Sequence, residues 1–485
     1  MLVPERDELW SLTDIIAATG GRLTGNPPQG IFGISIDSRT IGPGEAFFAI
    51  RGSERDGHAF AATALDKGAA LAVVAEDKAA EIAGAPLLVV PDPLEALENL
   101  GRAARARSPA QVIAVTGSVG KTSTKEMLRV ALSPSGETHA SAASYNNQWG
   151  VPLSLALLPP TAHFAIFEVG MNHPGEILPL ARMIRPHIAI VTAVEPVHLE
   201  FFAALDDIAA AKAEIFVGLE PGGAAILNRD NAYFDFLTER ARTAGAGRVV
   251  GFGEDERADA RAAKLSLHAE CSAVSADILG TRATYKIGAP GKHLILNSLA
   301  VLAAVQLVGG NLARGALALG AWRAPDGRGR RLDFSTRLGP VSLIDESYNA
   351  NPASMRAAIA TLGQAQPSGN GRRIAVLGDM LELGEAAPRL HAELADALAD
   401  AGVDLVYTAG PMMAALREAL PPALRAGHAK QADGLAELLE RDVRPGDVVM
   451  IKGSLGSCMA PLVAALERHL VVRYEARTFA GGAAN

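Results

Sequence analysis

The chain has 485 residues, enough for about three domains at the usual ~150 residues each and for a cleft between them, which excludes a small stapled module. Its 45 basic and 53 acidic side chains leave a net charge of -8, so a broad electrostatic surface for nucleic acid or an anionic membrane is not expected, which still leaves room for a local basic pocket for a small anion. The two cysteines, Cys271 and Cys458, give no disulfide framework and no zinc or iron-cluster spacing, and 49 glycines with only 5% aromatic residues suit many strand-helix alternations joined by tight turns.

The first residues lack a basic segment followed by an apolar one. The longest apolar stretch, near residues 294–308, is broken by Asn297, Ser298 and Gln306. A soluble, unprocessed, cytoplasmic monomer is therefore expected, with neither nucleic acid nor membrane as partner. Residues 1–107 read as a compact α/β unit, with short strands near 33–37, 46–50 and 70–74, a helical stretch at 59–67 and a helix over 93–107. Residues 108–325 open on the strand Gln111-Val-Ile-Ala-Val115 and continue as apolar runs at 165–169, 188–194 and 223–227 separated by helical stretches. That pattern predicts a parallel sheet buried on both faces. The segment Ala324-Pro-Asp-Gly-Arg-Gly-Arg-Arg331 reads as a linker. Residues 326–485 place strands at 341–344, 373–377, 405–407 and 448–451 between helices, the alternation of a small doubly wound sheet. The fold class is α/β in three domains: a small N-terminal unit, a central phosphate-loop mononucleotide-binding parallel sheet, and a C-terminal Rossmann-like sheet.

The most informative segment is Val115-Thr-Gly-Ser-Val-Gly-Lys-Thr-Ser123, between an apolar strand and a helix over 121–132. Gly117 and Gly120 let the amides of Ser118, Val119 and their neighbours turn toward phosphate oxygens. The helix N-terminus at Lys121, Thr122 and Ser123 adds partial positive charge, Lys121 reaches the β and γ phosphates, and the Thr122 hydroxyl can ligate Mg2+. Val115 stands where the longer form of this motif has glycine. No Asn-Lys-x-Asp segment follows, which favours ATP over GTP. Glu168 ends a buried apolar run, where a carboxylate either holds Mg2+ or makes a cap or ion pair. His198 follows another such run and Lys212 sits on an Ala-rich helical stretch over 206–215, whose setting would lower the pKa of an ammonium. Asn228 and Asp230 either bind nucleotide or make a turn.

Seven segments in order resemble those of the Mur ligase family: residues 116–122, Asn146-Asn-Gln-Trp-Gly-Val-Pro152, Glu168-Val-Gly-Met-Asn172, His198-Leu-Glu200, Lys212-Ala-Glu-Ile215, Leu227-Asn-Arg-Asp230 and Gly291-Lys-His-Leu-Ile-Leu-Asn297. The similarity covers nearly the whole chain. It implies an ATP-dependent amide ligase of a UDP-linked muramoyl peptide, with Lys121, Lys212 and His198 as catalytic residues. Thr122 and Glu168 would hold one Mg2+, and His198 with a carbamylated Lys212 a second. Asn228 and Asn297 would contact the nucleotide, Asn297 at adenine, and Asp345 would reach it from the third domain. Of the linker arginines Arg328, Arg330 and Arg331, counting back from Asp345 favours Arg331 for a phosphate contact. In the N-terminal unit Asp37-Ser-Arg39 and Asp56-Gly-His-Ala-Phe60 match the uridine-diphosphate domain, which assigns Ser38, Arg39 and His58 to substrate, together with Asn146 and Asn147 of the central unit.

In the third unit Asp345-Glu-Ser-Tyr-Asn-Ala-Asn-Pro-Ala-Ser-Met355 and Leu377-Gly-Asp-Met-Leu-Glu-Leu-Gly384 resemble the members that add D-alanyl-D-alanine to UDP-N-acetylmuramoyl-tripeptide. Tyr348, Asn349 and Asn351 supply an aromatic wall and amide groups that suit a short zwitterionic dipeptide, or else a turn capping a helix from Ser354. Leu294, Leu455 and Cys458 depart from the family pattern. The implied reaction activates the tripeptide's terminal carboxylate as an acyl phosphate, which the dipeptide amine attacks. The alternatives are another Mur-type or folylpolyglutamate synthase-like ligase, and a nucleotide-switched binding protein.

Overall fold

The structure is a computed structural model. It describes residues 7–52, 55–82, 84–142, 144–197, 199–202, 204–335 and 339–479, the last eight of these by main chain only. Three sheets carry the chain.

The first sheet has five strands in the order Arg22–Thr24, Leu87–Val90, Leu71–Ala75, Glu45–Phe48 and Gly33–Ser35, with Arg22–Thr24 antiparallel and the others parallel. The helix Pro93–Arg107 joins it to the second. It starts because the Asp92 carboxylate accepts the N–H groups of Leu94 and Glu95 at 2.7 and 3.2 Å and Pro93 needs no donor partner there. It buries Ala96, Leu97, Leu100 and Ala104 in the N-terminal core, which also takes in Leu153 and Ala156 of the central helix Gly150–Ala156. At its last turn, where cations suit the helix dipole, Arg105 donates to the carbonyls of Ile184 and Arg185 of the central unit, and Arg107 lies over the Trp10 ring.

The second sheet has nine strands. Its parallel part runs Gln111–Thr116 at the centre, flanked by Phe164–Glu168 and Thr138–Ala140 on one side. Ile188–Val191, Ala224–Asn228 and Arg248–Gly253 lie on the other. The inner strands are buried residue after residue, as continuous apolar runs require. The expectation of a purely parallel sheet is corrected at one edge. Ala260–Leu267 pairs parallel to Arg248–Gly253, but Ser272–Ile278 and Thr281–Ile287 add antiparallel strands beyond it. The reason is local: Leu279 and Gly280 both take left-handed φ, 50° and 87°, which closes a two-residue hairpin, and burial alternates along Ser272–Ile278 because only one face is covered. The helix Lys292–Leu307, buried without a break from Asn297 to Val305, is the core helix covering that face. Among the described residues no helix is long and apolar enough to cross a membrane.

The third sheet orders Arg330–Phe334, Val341–Glu346, Val448–Lys452, Arg373–Gly378, Leu405–Ala409 and Arg425–Ala429, parallel except for the first strand. Helices pack on both faces, giving two cores. Parallel strands bring their C-terminal ends to one edge of a sheet. Glu168 therefore stands at such an edge in the central unit, and Glu346 and Lys452 at the corresponding edge of the C-terminal one.

Candidate active site

Where these two edges face each other lies a cleft of about 490 Å³. Its central wall begins with the phosphate loop. Gly117 and Gly120 hold φ of 147° and 82°, and a Cβ added to either would stand 1.9 Å from Thr192 Oγ1 or 2.5 Å from Asn297 Nδ2. Neither space nor conformation admits a side chain, so the loop presents main chain. The Ser118 hydroxyl donates to the Glu195 carbonyl and accepts the Glu195 N–H, both at 2.9 Å, and the Thr192 hydroxyl donates to the Val119 carbonyl at 2.5 Å. The segment after the strand Ile188–Val191 thus fixes the loop before any ligand arrives. Lys121 folds back onto the Gly117 carbonyl at 2.7 Å; burial lowers its pKa, the Glu168 charge opposing. Ser118, Val119, Gly120, Lys121 and Ser123 all line the cleft.

Thr122 and Glu168 are 4% and 1% exposed. The Thr122 hydroxyl donates to Glu168 Oε2 at 2.7 Å and the Asn146 amide to Oε1 at 2.8 Å. A hydroxyl beside a carboxylate at a helix N-terminus is a hard oxygen set, and the residues fit Mg2+. Among the described residues no three His, Cys, Asp or Glu side chains gather as a metal cage. The remaining ligands would come from phosphate oxygens and water, as Mg2+ prefers. Lys212, on the helix Leu205–Ala213, is 2% exposed, and its ammonium has neither hydrogen bond nor ion pair among the described residues. Burial first, and the Lys121 charge second, push its pKa well below that of an ordinary lysine. His198 lies outside the described residues.

Asn228 lines the cleft while its amide donates to the Thr192 carbonyl at 3.2 Å, and Asn297 lines it beside Gly120. Asp230 instead accepts the N–H groups of Glu254 and Asp255, which makes it a turn residue. On the C-terminal wall stand Tyr348, Asn349 and Asn351. Asn351 also caps the helix Pro352–Gln364 by accepting the Ser354 N–H at 2.9 Å, so the turn and the cleft wall are the same residues. Asp345 is buried and its carboxylate accepts from Gly327 N–H at 2.9 Å and from the Ser347 hydroxyl at 2.6 Å. It shapes the linker from inside, rather than facing the cleft. The Arg331 guanidinium is held by Asp333, Ser342 and the Ala269 carbonyl, outside the cleft. The arginine in the cleft is Arg328, which donates to Ser144 Oγ at 2.9 Å and lies 3.9 Å over the Tyr348 ring.

Asn147 stands just before the helix Gly150–Ala156 and its Oδ1 accepts the Gly150 N–H at 2.9 Å. In the N-terminal unit both ring nitrogens of buried His58 are in use: Nδ1 with Asp56 at 2.5 Å, Nε2 accepting the Ala75 N–H at 2.9 Å. Arg39 is exposed and paired with Asp37, and the Ser38 carbonyl holds Lys67 Nζ at 2.8 Å. None of these three lines the cleft.

The cleft also holds residues that sequence reasoning passed over. Lys452, 3% exposed, donates to Glu346 Oε2 at 3.2 Å and to the Asn349 carbonyl at 3.0 Å. Glu195 lines the cleft with its carboxyl pushed up by burial. A charged residue ending an apolar parallel strand, the signal that singled out Glu168, also marks Glu346 and Lys452.

Comparison with known proteins agrees with this geometry. Residues 115–305 match the Mur ligase middle domain, 330–455 the Mur ligase glutamate ligase domain, and 30–106 the Mur ligase family catalytic domain. The UDP-N-acetylmuramoyl-tripeptide–D-alanyl-D-alanine ligase of Escherichia coli is 33% identical, over 95% of this chain and 98% of its own length. Its counterpart in Rickettsia prowazekii is 32% identical, over 87% of this chain and 92% of its own. A crystal structure of MurF from Acinetobacter baumannii superposes with a TM-score of 0.81 at 29% identity, covering 96% of this chain and all of that one.

Proposed function

The chain belongs to the Mur ligase family, and from that premise we propose that it joins D-alanyl-D-alanine to UDP-N-acetylmuramoyl-tripeptide using ATP, giving the UDP-muramoyl-pentapeptide precursor of peptidoglycan in the cytoplasm. The observation that carries the reading is the cleft: a phosphate loop and a hydroxyl-carboxylate pair on one wall, and Tyr348, Asn349 and Asn351 on the other. One wall suits a nucleotide, the other a small polar acceptor, and the reacting groups meet between them.

In this reaction the tripeptide's terminal carboxylate oxygen bonds to the γ-phosphorus as the β,γ P–O bond breaks and ADP leaves. The dipeptide amine, having lost its proton, attacks the acyl carbon, and the tetrahedral intermediate expels phosphate to leave the amide. Lys121 exchanges the Gly117 carbonyl for a phosphate oxygen and, with Arg328, meets charge that spreads over the transferring group. Mg2+ bound at Thr122 and Glu168 supplies further neutralisation of phosphate charge. Burial that depresses an amine's pKa favours its neutral form, and the neutral form adds CO2 with loss of a proton. Lys212 would carry that carbamate, which turns a neutral amine into an oxygen donor for a second Mg2+, an ion to which the family resemblance also assigns His198. Residues 1–107 hold the uridine-diphosphate end of the substrate, 108–325 ATP and 326–485 the dipeptide.

The test is phosphate release from ATP with the tripeptide substrate and D-alanyl-D-alanine, omitting each in turn, with mass spectrometry of the product. Release that needs both, with a pentapeptide product, is expected. Release indifferent to both would point to a nucleotide switch, and release with another amine would move the protein within its family.

A further inference from the structure

The bonds that hold Glu168 extend beyond the cleft. Lys125 lies one turn after Lys121 on the helix Lys121–Leu132 and so shares its face, yet it is fully buried. A buried ammonium must be satisfied. Lys125 donates to the Ser141 carbonyl at 2.7 Å and pairs with Glu126 at 3.0 Å. Ser141 follows the edge strand Thr138–Ala140. Its N–H donates to the Ile166 carbonyl at 3.1 Å, and its hydroxyl accepts the main-chain N–H of Glu168 at 3.2 Å. Glu168 in turn accepts from Thr122 at 2.7 Å. The path runs from the helix through Ser141 to the end of the strand Phe164–Glu168 and back to the same helix, closing a ring around one carboxylate.

We propose that Lys125 and Ser141 are positioning residues for the Glu168 carboxylate, a role that rests on the reading of Glu168 as a cation ligand. Lys125 fixes the segment after the edge strand by its carbonyl. The Ser141 hydroxyl then sets the last residue of the neighbouring strand against that segment, so that both carboxylate oxygens are aimed before a cation binds. A small cation with strict octahedral demands is sensitive to such aim, whereas a phosphate cradled by main-chain amides is not.

The test measures ADP affinity by calorimetry with and without Mg2+, on wild type, Ser141→Ala, Ser141→Thr and Lys125→Met, alongside melting temperature. We expect Ser141→Ala and Lys125→Met to weaken ADP binding in Mg2+ by ~10-fold, to leave Mg2+-free binding within about twofold, and Ser141→Thr to restore the wild-type ratio. A purely structural role lowers the melting temperature and leaves the ratio of the two affinities at its wild-type value; that result overturns the proposal. Should Lys125→Met not fold, Ser141→Ala decides alone, since it removes one hydroxyl. A wild type whose ADP affinity ignores Mg2+ overturns the reading of Glu168 and the proposal with it. A responsive wild type matched by an equally responsive Ser141→Ala overturns the proposal alone.

Discussion

Burial depresses the pKa of both Lys121 and Lys212, and each also feels a like charge, Arg328 and Lys121 respectively; the opposing charge of Glu168 separates them. Lys121 keeps a carbonyl partner and the opposing charge of Glu168, which both favour the cation that phosphate needs. Lys121→Ala should cut ligase turnover by ~10²-fold or more, the scale for losing one preorganised charge donor, with little change in melting temperature. Lys212 has burial and a like charge against it and nothing for it, which favours the neutral amine. Protein equilibrated with carbon-13 bicarbonate should show a carbamate carbon resonance that Lys212→Ala lacks; identical spectra would remove the carbamate from the reading. At this scale the sequence was legible where a residue type sits in a motif, as at Lys121, Thr122 and Glu168. It was not legible where a side chain's neighbours come from elsewhere in the chain. His58, Asp345 and Arg331 are polar in the right segments, but each combines a partner two residues away with one that folding brings near: Ala75, Gly327 and Ala269 respectively.

The phosphate loop and the turn after Arg373–Gly378 show how an element is held in shape for use. In the first, Gly117→Ala would put a carbon 1.9 Å from Thr192 Oγ1 at a φ of 147°. The loop must then shift, and the variant should lose both nucleotide binding and thermal stability, read by calorimetry. In the second, buried His391 accepts the Met380 N–H at Nε2, 2.9 Å away, and bonds the Ala387 carbonyl through Nδ1. That pattern needs the neutral ring, and burial lowers the His391 pKa from its ordinary value. Between that folded value and the unfolded value near ~6.5, the unfolded chain binds more protons, so stability falls as pH drops through this window and levels off below it. His391→Ala should therefore be less stable than wild type at pH about 7.5, with the gap in melting temperature narrowing toward pH about 5. A gap independent of pH would show that the ring is not held neutral. The antiparallel edge was the element hardest to foresee. Its strands are half polar, unlike the continuous apolar runs of the parallel part, and the local turn signal is Leu279-Gly280.

Across the whole molecule the site exists because two separate cores present their strand ends to one another. Arg328 crosses that boundary, bonding Ser144 of the central unit while stacking on Tyr348 of the C-terminal one. Arg328→Ala leaves both cores intact, so melting should change little. Misplacing one wall by about an ångström is enough to lower kcat by ~10²-fold, and steady-state kinetics should show kcat falling more than ATP KM rises. By itself the sequence determined the α/β class, the three units and the phosphate loop, because apolar periodicity and glycine spacing act over a few residues and need no tertiary partner. It also carried the family resemblance, because the order of motifs survives without coordinates. Only the tertiary structure decided which arginine faces the cleft, which histidine and aspartate are used up internally, and that Lys452, Glu346 and Glu195 join the wall. The physical reason is that burial, electrostatic shifts and hydrogen-bond satisfaction depend on residues tens to hundreds of positions apart, and those meet only when the sheets are built.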